Sequence, residues 1–239
     1  MPSHCTFRSV PRESFVKPFQ HLATATAPDG SELKLYRHDA DYVIRVNGVE
    51  LMSTRRRHSE ERLAYAACAP LHSAGRASAL IGGLGFGFTL KAALHLLPAD
   101  ARVVVAEILR EVIEWNRDPA YALAGDALAD ARVELRHDDV ANVLRSNPAA
   151  FDAIMLDVDN GADSVVTKSN ARLYDDSGIH TAVAALRPSG RLVYWSAGND
   201  PAFVKALRRG GLAVESERVR AHVTSGSFHF LFVARREGG

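Results

Sequence analysis

Leu80-Ile-Gly-Gly-Leu-Gly-Phe-Gly-Phe88, followed by Arg102-Val-Val-Val-Ala-Glu-Ile108, is the stretch on which the fold turns. An apolar run enters a cluster of four glycines in six positions. A helical pattern follows, and a second apolar run ends in the acid Glu107. That order predicts strand, tight turn, helix and strand, the nucleotide-binding half of a doubly wound sheet. Glycine permits the sharp turn and a close ligand approach because no Cβ intervenes. The helix N-terminus after the turn offers unsatisfied N–H groups. A carboxylate at the tip of the second strand can accept hydrogen bonds from both vicinal hydroxyls of a ribose.

The glycine spacing narrows the ligand. A dinucleotide fingerprint, G-x-G-x-x-G, that starts at Gly83 and Gly85 needs a third glycine at position 88, which is Phe88. The chain instead has G-x-G-x-G at Gly83, Gly85 and Gly87. This is the spacing of S-adenosylmethionine-type sites, which hold an adenosyl sulfonium and have no phosphate to cradle.

Working outward, the regular alternation of strand and helix patterns continues to the C-terminus. Arg132-Val-Glu-Leu-Arg136 is a third strand and Phe151-Asp-Ala-Ile-Met-Leu-Asp157 a fourth. A helix from about 176 to 186 leads to a fifth strand, Arg191-Leu-Val-Tyr-Trp-Ser196. After a further helix, two closing strands flank the turn Thr224-Ser225-Gly226. The expected architecture is α/β: a Rossmann-like, doubly wound, mostly parallel seven-stranded sheet with a C-terminal antiparallel hairpin. On the N-terminal side, Asp29-Gly30 and Asn47-Gly48 are hairpin-turn dipeptides around alternating runs, Glu32–Tyr36, Asp41–Val46 and Val49–Met52. They predict a small antiparallel β-meander, too thin to be stable alone. Residues 1–57 are therefore assigned to a meander and oligomerisation region, and 58–239 to the catalytic domain. Ser59 is the expected N-cap of the first core helix, with Glu60 and Glu61 suiting the positive end of its dipole.

Composition bounds the function. The 239 residues are 47% hydrophobic and 24% charged, as in a globular protein with a sizeable core. A formal net charge of +1 gives no electrostatic case for nucleic acid or a membrane surface. Cys5 and Cys68 show no metal-ligand spacing, so no metal is expected and a reducing compartment is. With no apolar leader and no run of transmembrane length, the expected location is cytoplasmic.

Ligands of open α/β sheets sit outside the carboxyl ends of the strands. Four such ends carry Gly83–Gly87, Glu107, Asp138 with Asp139, and Asp157 with Asp159. Together they describe an adenosine pocket, in which Asp139 or Asp138 accepts from the adenine amino group. Each acid alone also fits a solvated loop carboxylate or a helix N-cap, and for Asp138 that reading is favoured. Asp159, Asn160 and Tyr174 are assigned to the acceptor side. His58 and His137 are alternative bases, and the run Arg55-Arg56-Arg57 offers a grip for an anionic group.

Ile81–Gly87, Val105–Ile108, Asp139 and Phe151–Asp157 resemble the spermidine synthase (polyamine aminopropyltransferase) family, whose sheet is that of class I methyltransferases. The resemblance covers most of the chain, including the meander. It implies decarboxylated S-adenosylmethionine as donor, a polyamine acceptor, a homodimer and Asp157 as the catalytic aspartate. Three departures accompany it. Gly85 stands where the family has the aspartate that holds the donor amine. The acidic loop after the fourth strand is Asp157-Val-Asp-Asn-Gly-Ala162, with Asn160 at the second aspartate and both prolines gone. The family's Y-H-E motif matches at best His58-Ser59-Glu60.

The expectation is thus an S-adenosylmethionine-type transferase acting on a small-molecule acceptor, with an amine as a candidate. The missing acid at Gly85 favours methyl transfer from S-adenosylmethionine. The alternatives are aminopropyl transfer to a polyamine and a catalytically idle nucleoside-binding or oligomerisation subunit.

Overall fold

A computed structural model describes residues 18–27, 30–121, 123–158, 168–222 and 226–236. The N-terminal sheet has four antiparallel strands in sequence order: β1 (Gln20–Thr26), β2 (Glu32–His38), β3 (Asp41–Val46) and β4 (Val49–Ser53). The sequence reading anticipated the last three; β1 alternates too weakly to announce itself. The β3–β4 turn has positive φ at both Asn47 (48°) and Gly48 (85°), the primed hairpin geometry that this dipeptide favours.

Helix α1 (His58–Cys68) leads into the main sheet. Its N-cap is Arg57 and not the expected Ser59, which lies buried inside the first turn. Then follow β5 (Ser78–Gly82), α2 (Phe88–Leu96), β6 (Arg102–Glu107), α3 (Arg110–Arg117), β7 (Val133–His137), α4 (Val140–Ser146) and β8 (Phe151–Leu156). The chain closes with α5 (Asp176–Ala185), β9 (Leu186–Ser196), α6 (Pro201–Arg209), β10 (Leu212–Arg220) and β11 (Phe228–Arg236). Strand β9 begins at Leu186, earlier than the expected Arg191, because Leu186 already pairs with Phe151 across an irregular register.

The seven strands lie in the order β10-β11-β9-β8-β5-β6-β7. The five strands from β9 to the β7 edge are parallel, and β11 pairs antiparallel to both β9 and β10. The expected architecture, a seven-stranded sheet with a C-terminal hairpin and a separate meander, is present. The order reverses at β5, whose neighbours are β6 on one side and β8 on the other. That is the topological switch point at which such sheets bind ligands.

Period-two alternation divides the core. Ala79, Ile81, Val103, Val105, Met155 and Val193 face one layer with α1, α2, α3 and the meander residues Leu33, Leu35 and Ile44. Leu80, Val104, Ile154, Leu156, Leu192 and Tyr194 face the other layer with α4, α5 and α6. Both faces of the strands are buried, so β5, β6 and β8 read as continuous apolar runs. The meander buries its inner face on the first layer, as the thinness of its sheet requires. No helix among the described residues is long and apolar enough to cross a membrane.

Candidate active site

A cavity of about 270 Å³ opens at the switch point. Its floor is the glycine loop. Gly83, Gly85 and Gly87 all take positive φ (91°, 52° and 76°), where a side chain is strained. The constraint is tightest at Gly83, where an added Cβ would stand 2.4 Å from the Asp157 carbonyl oxygen. The loop and the end of β8 are therefore in backbone contact. At Gly85 the corresponding neighbour is Met52 of the meander, 3.4 Å away, and at Gly87 it is Ala124.

Glu107 caps β6, where the sequence placed it. Its Oε2 accepts from the Leu84 amide and its Oε1 from the Leu109 amide, each at 2.9 Å. Burial raises its carboxyl above the usual range, and these amide hydrogen bonds oppose that rise. The carboxylate thus pins the glycine loop while lining the cavity. Each oxygen has a second lone pair, which suits it to a ribose hydroxyl.

Asp138 and Asp139 both line the cavity from the end of β7. Asp139 is the N-cap of α4, its Oδ1 accepting from the Ala141 amide at 2.8 Å, and its Oδ2 pairs with Arg172. The bonds to Asp138 from the Asp139 amide and from Asn142 both fall on Oδ1. The helix-cap role favoured for Asp138 thus falls to Asp139, and Asp138 is as well placed for an adenine amino group. Ile108 and Val140 supply apolar wall on this side.

Asp157 follows β8 and lines the cavity. Its Oδ2 accepts from the Thr89 hydroxyl at 3.2 Å. Burial pushes its carboxyl up to about 6, and the Thr89 bond acts in the opposite direction. Glu60, in the first turn of α1, lines the same cavity, and its Oε2 is buried without a hydrogen-bond partner among the described residues. Burial pushes the Glu60 carboxyl well above the usual range, and the charges of Asp157 and Glu61 push it further. Two buried carboxyls whose charges act on each other across one cavity resist joint ionisation, so they hold a proton or an ammonium group readily.

The far wall is made by Leu51 and Met52 of the meander, Arg56, Ser59, Trp195 and His229. The rings of Trp195 and His229 meet edge to face at 4.6 Å, and His229 Nδ1 lies 2.9 Å from the Ser59 hydroxyl. Burial, then the charge of Arg56, lowers the His229 pKa.

The expected residues fall into three groups. Gly83, Gly85, Glu107, Asp139 and Asp157 meet in one cavity, and Gly87 closes the turn as N-cap of α2. Tyr174 packs on Tyr194 and Phe203 in the opposite layer and is outside this cavity wall. Asp159 and Asn160 lie outside the described residues. Neither proposed histidine base lines the cavity: His137 Nε2 lies 3.1 Å from the Ile108 carbonyl at the surface, and His58 donates its amide to Ala221. Glu60, Thr89, Trp195 and His229 complete the site. The position of Thr89 one turn beyond Gly85 was the available signal; Glu60 had been assigned a dipole role and the last place in the match to the Y-H-E motif.

No family model matches the chain. The polyamine aminopropyltransferase of Corynebacterium efficiens is 30% identical over 172 residues, which cover 70% of this chain and 31% of that protein. The chain thus spans about a third of that relative's length. The structure is similar to spermidine synthase from Thermotoga maritima, with a TM-score of 0.72 at 17% identity, over 92% of this chain and 74% of that one. It is similar also to a spermidine synthase in complex with the transition-state analogue AdoDATO (TM-score 0.71, 16% identity, 92% and 73% coverage). The fold is therefore the Rossmann-like fold of the spermidine synthases, and the neighbours in sequence and in structure point together to spermidine synthase and polyamine aminopropyltransferase.

Proposed function

We propose that this chain is a transferase that moves an aminopropyl group from decarboxylated S-adenosylmethionine to a small amine. The observation that carries this reading is the acid pair Asp157 and Glu60, facing the glycine loop in one cavity. Methyl transfer, which the sequence favoured, has weaker support, because the relatives are aminopropyltransferases. The residues present fit an adenosyl group. The positive-φ loop leaves room for close approach, Glu107 suits a ribose, and Asp139 or Asp138 an adenine amino group.

When bound, the donor supplies an electrophilic carbon beside its sulfonium. The chain's own task is to orient an amine and remove its proton, since only the neutral amine attacks. Asp157 and Glu60 hold the acceptor as its ammonium form. Asp157, with its pKa near 6, then takes the proton onto its carboxylate, while Thr89 fixes the orientation of that carboxylate. Met52 and Leu51 exclude water from one side. Asp159 and Asn160 retain their assignment to the acceptor side from the sequence, whereas Tyr174, packed on Tyr194 and Phe203, is withdrawn from it. A homodimer is part of the proposal.

Methyl transfer is the second reading, and Gly85 favours it, since no acid stands there for the amine of the decarboxylated donor. Calorimetric titration with S-adenosylmethionine and with its decarboxylated form separates the two. Tighter binding of the decarboxylated form, with turnover of an amine, is the expected result. Preference for the intact form with methylation of an acceptor overturns it, and binding of either without turnover points to an idle subunit.

A further inference from the structure

The glycine loop is gripped from two sides. Glu107 takes the Leu84 amide at 2.9 Å, and the Gly85 amide acts on the same carboxylate. On the other side stands Asn116, on the buried face of α3 with Val112, Ile113 and Trp115. Its Nδ2 donates twice, to the Gly85 carbonyl at 2.8 Å and to the Val112 carbonyl one turn back at 2.8 Å. These partners fix the orientation of the amide, because turned over its oxygen would face two carbonyls with no donor between them. Its Oδ1 is buried with no hydrogen-bond partner among the described residues. An apolar residue at 116 would continue the buried face without that cost, so what the amide contributes is its donation. Asn116 is 4% exposed and does not line the cavity, whereas Gly85 does. The Gly85 carbonyl therefore turns away from the cavity, toward α3.

We propose that Asn116 is the positioning residue of the donor loop: it holds the Gly85 carbonyl from behind the cavity and so presets the loop to receive an adenosyl group. Glycine leaves the peptide after Gly85 free to rotate, and no side chain at 85 resists that rotation. Released from Asn116, the carbonyl finds its replacement partner in the water of the cavity, and the loop then intrudes on the space that the donor needs. Donor affinity falls by the fraction of chains that keep the competent loop. Asp157 and Glu60 belong to the end of β8 and to α1, so the acceptor side is untouched. The inference rests on the adenosyl reading of this cavity and adds to it a residue of α3 that meets no ligand.

Two variants separate the two hydrogen bonds. Asn116→Ser keeps a hydroxyl that can bond back to the Val112 carbonyl but is too short to reach Gly85, and Asn116→Leu removes both bonds. Ile113→Ala, on the same buried face and outside the cavity wall, controls for a general loosening of α3. In calorimetry of the full chain with methylthioadenosine, both Asn116 variants should raise Kd roughly tenfold, and Ile113→Ala should change it by less than about twofold. At saturating donor, kcat and the KM of the amine acceptor should keep their wild-type values, so that the loss falls on the donor's KM. Wild-type affinity in Asn116→Ser overturns the proposal, as does an equal loss in Ile113→Ala. Amide hydrogen exchange needs no ligand. Leu84 and Gly85 should exchange roughly tenfold faster in Asn116→Ser and at wild-type rates in Ile113→Ala. Unchanged exchange in Asn116→Ser overturns the proposal even where affinity falls. Failure of the wild type to bind methylthioadenosine removes the adenosyl reading, while the exchange rates still decide whether Asn116 holds the loop.

Discussion

Asp157 is the residue at which chemistry and stability meet. Removing its base function by Asp157→Asn should lower turnover by roughly 10²–10⁴-fold, with adenosyl affinity little changed, as single-turnover rates and calorimetry would show. The wild-type rate should rise with pH through about 6, as the carboxylate becomes available to accept a proton. Stability runs the other way. The folded-state pKa lies above the ordinary value of 3.8, so the folded chain binds more protons than the unfolded chain between about 4 and 6. Its stability therefore falls as pH rises through that window, and the penalty persists above it. Asp157→Asn should relieve the penalty, raising Tm at pH 8 relative to wild type and leaving it nearly unchanged at pH 3.5. No such pH-dependent gain would mean that the carboxyl is solvated. Gly83→Ala tests the neighbouring contact. With φ at 91° and the Asp157 carbonyl 2.4 Å from the new Cβ, it should cost roughly 1–3 kcal/mol in denaturant unfolding and weaken adenosyl binding.

At the scale of elements, α1 does two jobs. Its first turn delivers Ser59 and Glu60 to the cavity, while Leu63, fully buried one turn on, anchors it in the first core layer. Leu63→Ala should cost about 2–5 kcal/mol by urea unfolding. It should also weaken acceptor binding more than adenosyl binding, because Glu107 and the glycine loop belong to other elements. The meander has a similar double role: Leu33 is buried in that layer and also lines the cavity with Met52. The sequence showed this segment as a thin sheet in need of a partner. Its partner within the chain is the α1–α3 layer, and its far edge becomes a wall of the site.

The whole molecule presents large apolar side chains on the outer side of the meander, with Val49 61% exposed and Phe19 41%. These suit the homodimer proposed here. Multi-angle light scattering should give twice the 26.0 kDa chain mass, and Val49→Glu should shift the mass toward the monomer without lowering Tm. A monomeric wild type at micromolar concentration would remove the dimer from the proposal. The same scale explains where the cavity lies. The strand order reverses at β5, which leaves the carboxyl ends of β5, β6 and β8 open to one crevice, while α1 and the meander close it from the N-terminal side.

The sequence by itself determined the strand–glycine–helix–strand unit, the acids at strand ends and the alternation that demands a parallel sheet. These are local properties: a periodic apolar run and a glycine cluster dictate backbone conformation over a few residues, and strand ends share one edge whatever the rest of the chain does. Tertiary structure alone decided which side chains meet there. Glu60 reaches Asp157 only because α1 packs across β8 and β9. Trp195 reaches His229 only because β11 returns antiparallel beside β9, bringing Leu231 opposite Trp195. Tyr174, plausible as a pocket wall from its place after β8, packs into the other layer with Tyr194 and Phe203. Contacts between distant segments depend on how layers close over a sheet, and no short-range pattern encodes that closure.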